Sequence, residues 1–391
     1  MNHPELHAQP CLPRGFRCAA INCGIKTEGK DLALFASEVP GAAAGVFTRN
    51  LVPGAPVVVG RELLRVGRLQ AIVVNSRVSN VGTGEAGIRN ARRMGAAAAA
   101  ALGIAPELVL MSSTGVIGVP LPIELIEAGI PRVVDALQGD PLVGAEGIMT
   151  TDTHPKALSL SVGGAVLTVV AKGSGMIEPN MATMLCYVLT DAAIAQGALD
   201  VVLRRVVDDT LNMVSVDSDT STSDTCVAIA NGTSGTVDPA AFEAGLRVAL
   251  TAMAEKLARD GEGASRLMRV SVRGAADRAE ARTIAKSLIN SPLVKTMVFG
   301  GDPNVGRILM AVGKCFDCRI EPARLRAGIS GVTVFDDGAR TDFDEARVRA
   351  LLGEDPVDLT VDLRVGDGEA RAWGCDLTPG YIAENAAYYS S

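Results

Sequence analysis

Residues 172–191 read KGSGMIEPNMATMLCYVLTD. The stretch leaves the end of a strand, passes Gly173, Gly175 and Pro179-Asn180, and reaches Ala182-Thr183 just ahead of the apolar run Met184 to Leu189. Glycines and a proline set against a buried segment indicate a constrained backbone that presents a hydroxyl, and Thr183 carries it.

Immediately upstream, Ala157–Val162 and Ala165–Lys172 form a hairpin about Gly163-Gly164, which delivers Lys172. Further upstream, short strands are expected at Gly15–Ala20, Leu32–Ala36 and Ala43–Thr48. Leu69–Asn75 follows, opening into a polar turn at 76–84, then the alanine-rich helix Glu85–Leu102 and the strand Leu108–Met111. The turn after that strand, Ser112-Ser113-Thr114-Gly115-Val116-Ile117-Gly118, can aim backbone amides at an oxygen, or be an ordinary satisfied Ser/Thr turn. Two helices are expected at Ile123–Ala128 and Arg132–Leu137, separated by Pro131, and a short strand at Ile148–Asp152.

Downstream, Leu199–Met213 is an amphipathic helix with Val201, Val202, Val206 and Leu211 inward. The Ser/Thr/Asp run at 214–225 is either a solvated loop or the lining of a site. Asp238 caps a helix over Pro239–Ala258. Glu262, between Gly261 and Gly263, faces a pocket or is an exposed helix end. A strand at Leu267–Arg273, a helix at Ala276–Leu288, the turn-rich 290–307 and alternating short elements over Leu325–Leu363 complete an α/β chain that ends in a polar, Tyr-rich tail, 375–391.

At 391 residues, two lobes are expected. Aromatics are only 3%, so Ala, Val, Leu and Gly must build the core. A net charge of −7 disfavours a nucleic-acid surface and favours small-molecule chemistry. The eight cysteines read as free thiols, and the single C-x-x-C, Cys315 and Cys318, is weak evidence for a metal. The start lacks the pattern of a signal peptide, and no apolar run reaches the ~18 residues of a membrane span, so a soluble, cytoplasmic protein is expected.

Only three histidines occur, His3, His7 and His154, so a hydroxyl nucleophile needs another base. A freed α-amine, with a pKa of about 7.7 to 8.0, can take that role. For Thr183 this requires cleavage of the Ala182-Thr183 bond.

GSGMIEPNMATML, STGVIG, TTDT, DGEGASR, NSPLVKT, GDPN and the ending CDLTPGYIAENAAYYSS together resemble the ornithine acetyltransferase family, the glutamate N-acetyltransferases of arginine biosynthesis. The resemblance runs in order from about Gly15 to the C-terminus. It implies a layered αββα-type α/β sandwich of the ornithine acetyltransferase/aminopeptidase kind with a smaller C-terminal α/β lobe. The expected organisation is a catalytic lobe 1–284, cut between Ala182 and Thr183, a smaller lobe 285–375, and a tail 376–391 returning to the active site. It further implies α and β chains from one precursor, assembled as α2β2 or larger.

By position, the resemblance makes Thr183 the nucleophile and Thr114 and Gly115 the oxyanion hole. Lys172 holds the substrate carboxylate beside Thr150, Glu262 complements the amino acid's positive charge, and Asn385 and Ser390 are C-terminal substrate contacts. The reaction implied is ping-pong transfer of acetyl from N-acetylornithine to glutamate. No cofactor is expected; acetyl-CoA serves some members as a co-substrate. SRVSN, where many relatives have SGNAN, and Val305, where a Trp is usual, depart from the family pattern. They leave open a specialised paralogue acting on another acylated amino acid. An N-terminal-nucleophile hydrolase would share Thr183 but give the acyl group to water, and a binding protein would stay uncut.

Overall fold

The computed structural model describes residues 5–178 and 184–386. The chain is mixed α/β with two sheets, and it divides into two compact units. The first comprises 1–173, 179–212 and 220–253; the second comprises 174–178, 213–219 and 254–391. The sequence-based expectation places boundaries at 284/285 and 375/376. Strand Leu267–Ala275 pairs in one sheet with Val357–Asp362 and Gly368–Cys375, so residues on both sides of position 284 share one core.

In the first unit the strand order is Val109–Ser113, Arg68–Asn75, Leu32–Phe47, Thr225–Ala230, Leu185–Thr190, Ala165–Lys172, Lys156–Val162, with Phe16–Ile21 also paired to Leu32–Phe47. Alternation along Leu32–Phe35 sends Leu32 and Leu34 to one face and Ala33 and Phe35 to the other, and both faces are dry. The helix Gly84–Leu102 lies on the first face through Ala91, Met94, Ala98 and Ala99. Small side chains allow that close approach: at Gly95 a Cβ would run into the Met111 methyl.

Several local expectations change. Leu32–Ala36 and Ala43–Thr48 are one strand of 16 residues, because the irregularity between Ala36 and Gly41 is a bulge and ladder bonds resume after it. Pro131 sits inside a single helix, Ile123–Asp135, where the buried face Ile126, Ile130 and Val133 outweighs one missing bond. Ile148–Asp152 is not a strand; Asp140 caps a helix, Pro141–Ile148, through Leu142 N at 2.9 Å. Val201 faces outward at 54% exposure, and Leu199 and Leu203 join Val202 and Val206 inside. The turn-rich 290–307 holds the helix Pro292–Gly300, capped by Ser291, and the tail carries the helix Pro379–Asn385.

The second unit's sheet runs Ala339–Arg340, Val332–Asp336, Arg326–Ile329, Val357–Asp362, Leu267–Ala275, Gly368–Cys375, Val214–Ser215. Helix Arg278–Asn290, capped by Asp277, buries Ile284, Leu288 and Ile289. Six of the eight cysteines are buried, and all eight are free. Burial pushes the Cys18 thiol up to about 11, and burial with Asp31 beside it pushes Cys23 to about 12, as befits inert core thiols.

Candidate active site

Arg68–Asn75 and Val109–Ser113 are parallel neighbours with Asn75 opposite Ser113, so the polar turns that follow them emerge together at the strands' carboxyl ends. Asn75 ties the turns together. Its carbonyl accepts Thr114 N at 3.1 Å, its Nδ2 donates to Val78 O at 2.8 Å, and its Oδ1 accepts the Ser113 hydroxyl at 2.6 Å. Val116 N donates to Arg77 O at 2.9 Å, closing the contact. Between these bonds Gly115 takes φ 129°, and a Cβ there would collide with the Arg77 backbone. Only glycine fits. Among the described residues the Gly115 N–H makes no hydrogen bond, so it remains available to an incoming oxygen.

Beside it, Thr114 is buried, and its hydroxyl oxygen accepts from Lys172 Nζ at 3.4 Å. A hydroxyl that accepts from an ammonium has its own hydrogen left to give. Thr114 and Gly115 therefore form two adjacent donors, which is what a developing oxyanion needs.

Lys172 closes the strand Ala165–Lys172 and is 8% exposed. Asp152 lies beneath it. One carboxylate oxygen accepts Lys156 Nζ at 2.7 Å and Gly173 N at 2.6 Å, and the other accepts Thr150 N at 3.0 Å. Burial raises the Asp152 pKa, but the Lys172 and Lys156 ammonium groups with the Thr150 amide reverse that and hold it at about 2. Thr150 is thus bound through its amide into the Lys172 cluster. Asp224, fully buried, is pushed well above the usual carboxylate range by desolvation, against the Ser221 and Thr48 hydroxyls and the Lys172 charge, and among the described residues one of its oxygens has no hydrogen-bond partner.

In the second unit, Glu262 is 7% exposed, which rules out the exposed helix end. Its amide donates to Ser174 O at 3.1 Å, and its carboxylate accepts Asn385 Nδ2 at 2.7 Å. That carboxylate occupies the place a Cβ of Gly175 would take. Gly263, at φ 66°, lies where a Cβ would meet the Gly380–Tyr381 backbone, and Thr378 Oγ1 donates to Gly263 O at 2.6 Å. Two chain segments far apart in sequence, 261–263 and 378–385, are locked together around one carboxylate.

The residues just ahead of the Thr183 segment are held tightly. Met176 N and Ile177 N donate to Asp217 at 2.6 and 2.9 Å. The Glu178 carboxylate accepts Asn290 Nδ2 at 2.6 Å and the Ser215 hydroxyl at 3.2 Å, with Lys286 Nζ at 3.5 Å. Burial lowers Lys286 to about 8, although Glu178 pulls the other way. The Ser/Thr/Asp run is therefore an anchoring element rather than a solvated loop.

Of the residues read from sequence, the structure brings Thr114, Gly115, Lys172 and Thr150 together in one cluster, and Glu262 with Asn385 in another. Ala182, Thr183 and Ser390 lie outside the described residues. The carboxylates of Asp152, Asp217 and Asp224 matter through burial, which a polar run such as TTDT or SDTSTSDT does not reveal.

A profile described as the ArgJ family matches residues 17–390. The arginine biosynthesis bifunctional protein ArgJ of Symbiobacterium thermophilum is 47% identical, covering 96% of this chain and 97% of its own. The glutamate N-acetyltransferase Oat2 of Streptomyces clavuligerus is 43% identical, covering 97% and 98%. The crystal structure of the arginine biosynthesis bifunctional protein argJ from Bacillus halodurans superimposes with a TM-score of 0.50 at 40% identity, covering 52% of this chain and 98% of that one.

Proposed function

The chain belongs to the ArgJ family, and we propose that it is an acyltransferase moving an acetyl group from N2-acetyl-L-ornithine to L-glutamate, in arginine biosynthesis in the cytoplasm. The names of its relatives, a bifunctional arginine-biosynthesis protein and a glutamate N-acetyltransferase, support this substrate pair. Among the described residues no helix is long and apolar enough to cross a membrane.

The observation that carries the reading is the donor pair at Thr114 and Gly115, with Lys172 bonded to the threonine hydroxyl. After cleavage between Ala182 and Thr183, the freed Thr183 amine takes the hydroxyl proton as Oγ1 attacks the acetyl carbonyl. The Thr114 hydroxyl and Gly115 amide bind the oxyanion, and their bonds strengthen only as charge develops there. Collapse breaks the amide bond, the proton passes to the ornithine amine, and acetyl-Thr183 remains. The glutamate amine then attacks the ester carbonyl, the acyl–Oγ1 bond breaks, the proton lost by that amine returns through the Thr183 amine to Oγ1, and N-acetylglutamate leaves. By their positions in the family motifs, Lys172 and Thr150 contact the substrate carboxylate, Glu262 complements its positive charge, and Asn385 and Ser390 are the C-terminal substrate contacts.

The two products stay together as α and β chains and assemble as α2β2 or larger.

Intact mass of the wild type and of Thr183→Ala, followed by incubation with N-acetylornithine, tests the proposal. Two wild-type chains, one acetyl group gained by the β chain and an uncut variant are expected. An uncut, unlabelled wild type overturns it.

A further inference from the structure

Leu6 bridges to Leu160 and His7 N donates to Ser159 O at 2.8 Å, so the start of the chain runs along Lys156–Val162, the last strand of the first unit's sheet. Ser159 and Ser161, two apart on that strand, share a face and turn their hydroxyls to this segment. His7 Nε2 meets Ser161 Oγ at 2.9 Å, while Nδ1 lies 3.5 Å from Cys11 Sγ and 3.2 Å from Ser159 Oγ. Ser159 Oγ accepts Cys11 N at 3.1 Å and stands 3.6 Å from the Cys11 sulfur. From the neighbouring strand, the Thr168 hydroxyl donates to Cys11 O. Five bonds from two strands thus hold a thiol against an imidazole at the surface. Among the described residues neither group meets a charged side chain.

Access singles out the same thiol. Cys11 is exposed, six of the other cysteines are buried, and Cys318 is half-buried. Burial, with the Cys315 thiol beside it, pushes Cys318 up to about 11, which keeps it protonated and slow to react. His7 and Cys11 both precede residue 17, where the family profile begins, and the acetyl relay uses neither.

We propose that Cys11 is a reactive thiol activated by His7, a site of reversible mixed-disulfide formation with low-molecular-weight disulfides such as that of glutathione. With its hydrogen on Nε2, the ring donates to Ser161 and leaves Nδ1 to accept the thiol proton. The resulting thiolate has two donors, the imidazolium Nδ1–H and the Ser159 hydroxyl, and the thiolate is the nucleophilic form. It attacks one sulfur of the disulfide. A bond forms between that sulfur and Cys11 Sγ, the original S–S bond breaks, and the departing thiolate takes the proton from His7. Cys11 is oxidised, the departing half is reduced, and a free thiol reverses the exchange.

Glutathione disulfide, incubated with the reduced purified protein and followed by peptide mass mapping, tests this on the wild type, Cys11→Ser and His7→Gln. One adduct is expected, on the peptide carrying Cys11, removed by dithiothreitol and missing from Cys11→Ser. At neutral pH His7→Gln should react at least about tenfold more slowly than the wild type. At about pH 9.5, where a free thiol of pKa about 8.5 ionises unaided, the two should agree within about twofold. No adduct, or an adduct chiefly on another cysteine, overturns the assignment of the site. Equal rates at neutral pH, or the same deficit at both pH values, overturns the role of His7 as the base, since a residue that only packs the segment slows both alike. The readout is the modification of Cys11, so a failure of acetyl exchange bears on the catalytic proposal alone.

Discussion

Asp152→Asn keeps the shape of the side chain and removes its charge. In the wild type the carboxylate faces Lys156 Nζ at 2.7 Å and accepts the Gly173 and Thr150 amides at 2.6 and 3.0 Å. Burial raises its pKa, and Lys172 and Lys156 bring it down to about 2 from the ordinary 3.8. At 1.36 kcal/mol per unit, this net fall corresponds to roughly 2–3 kcal/mol. The folded pKa lies below the unfolded one, so the unfolded chain binds more protons between the two values. The contribution is complete above about pH 4 and is lost as the pH falls towards 2. At neutral pH the asparagine costs more than that, about 3–5 kcal/mol, because two buried ammonium groups lose their counter-charge. Asp152→Asn/Lys156→Met should recover part of the loss by removing one of them. Urea unfolding of the three proteins at neutral pH, with an acid series of thermal midpoints, measures both effects. A single variant within about 1 kcal/mol of the wild type, or one with an unchanged acid slope, refutes the account.

Gly115→Ala forces a Cβ against the Arg77 backbone and moves the free amide, so exchange activity should fall about 10²–10³-fold; steady-state kinetics yielding less than threefold would exclude the amide from catalysis. Gly175→Ala should mimic Glu262→Gln, since a Cβ there displaces the Glu262 carboxylate; both should raise KM roughly 10–100-fold, read by substrate titration. If only Glu262→Gln does so, the contact has no role in placing the carboxylate. Lys286 has a folded pKa of about 8 against an ordinary 10.5, so the unfolded chain holds more protons between those values. Stability should therefore gain up to about 3 kcal/mol from this group as the pH rises from 8 towards 10.5, and Lys286→Met should remove the rise in a denaturant series.

Short-range rules carried much of the reading. The Gly163-Gly164 hairpin, the strand ending at Asn75 and the Asp238-capped helix beginning at Pro239 follow from turn chemistry, periodicity and capping, which act over a few residues. The same rules failed where long-range pairing dominated. A polar bend at 37–40 looked like the end of a strand, but ladder bonds on both sides carried the chain through it as a bulge. Pro131 looked like a break, but a buried helical face spans it.

The sequence by itself determined the α/β class and the family, and it supplied the residue types proposed for the chemistry: a threonine without a serviceable histidine, a Thr-Gly pair, a lysine and a glutamate. Those are properties of residue identity and order. Only the tertiary structure decided that parallel pairing sets the Asn75 and Ser113 turns side by side, that Gly115 keeps a free amide while Thr114 accepts from Lys172, and that Asp152 and Glu262 are buried. It alone seats His7 and Cys11 together on the strand Lys156–Val162. Burial and the partner a charge meets depend on segments distant along the chain, and desolvation makes those partners matter.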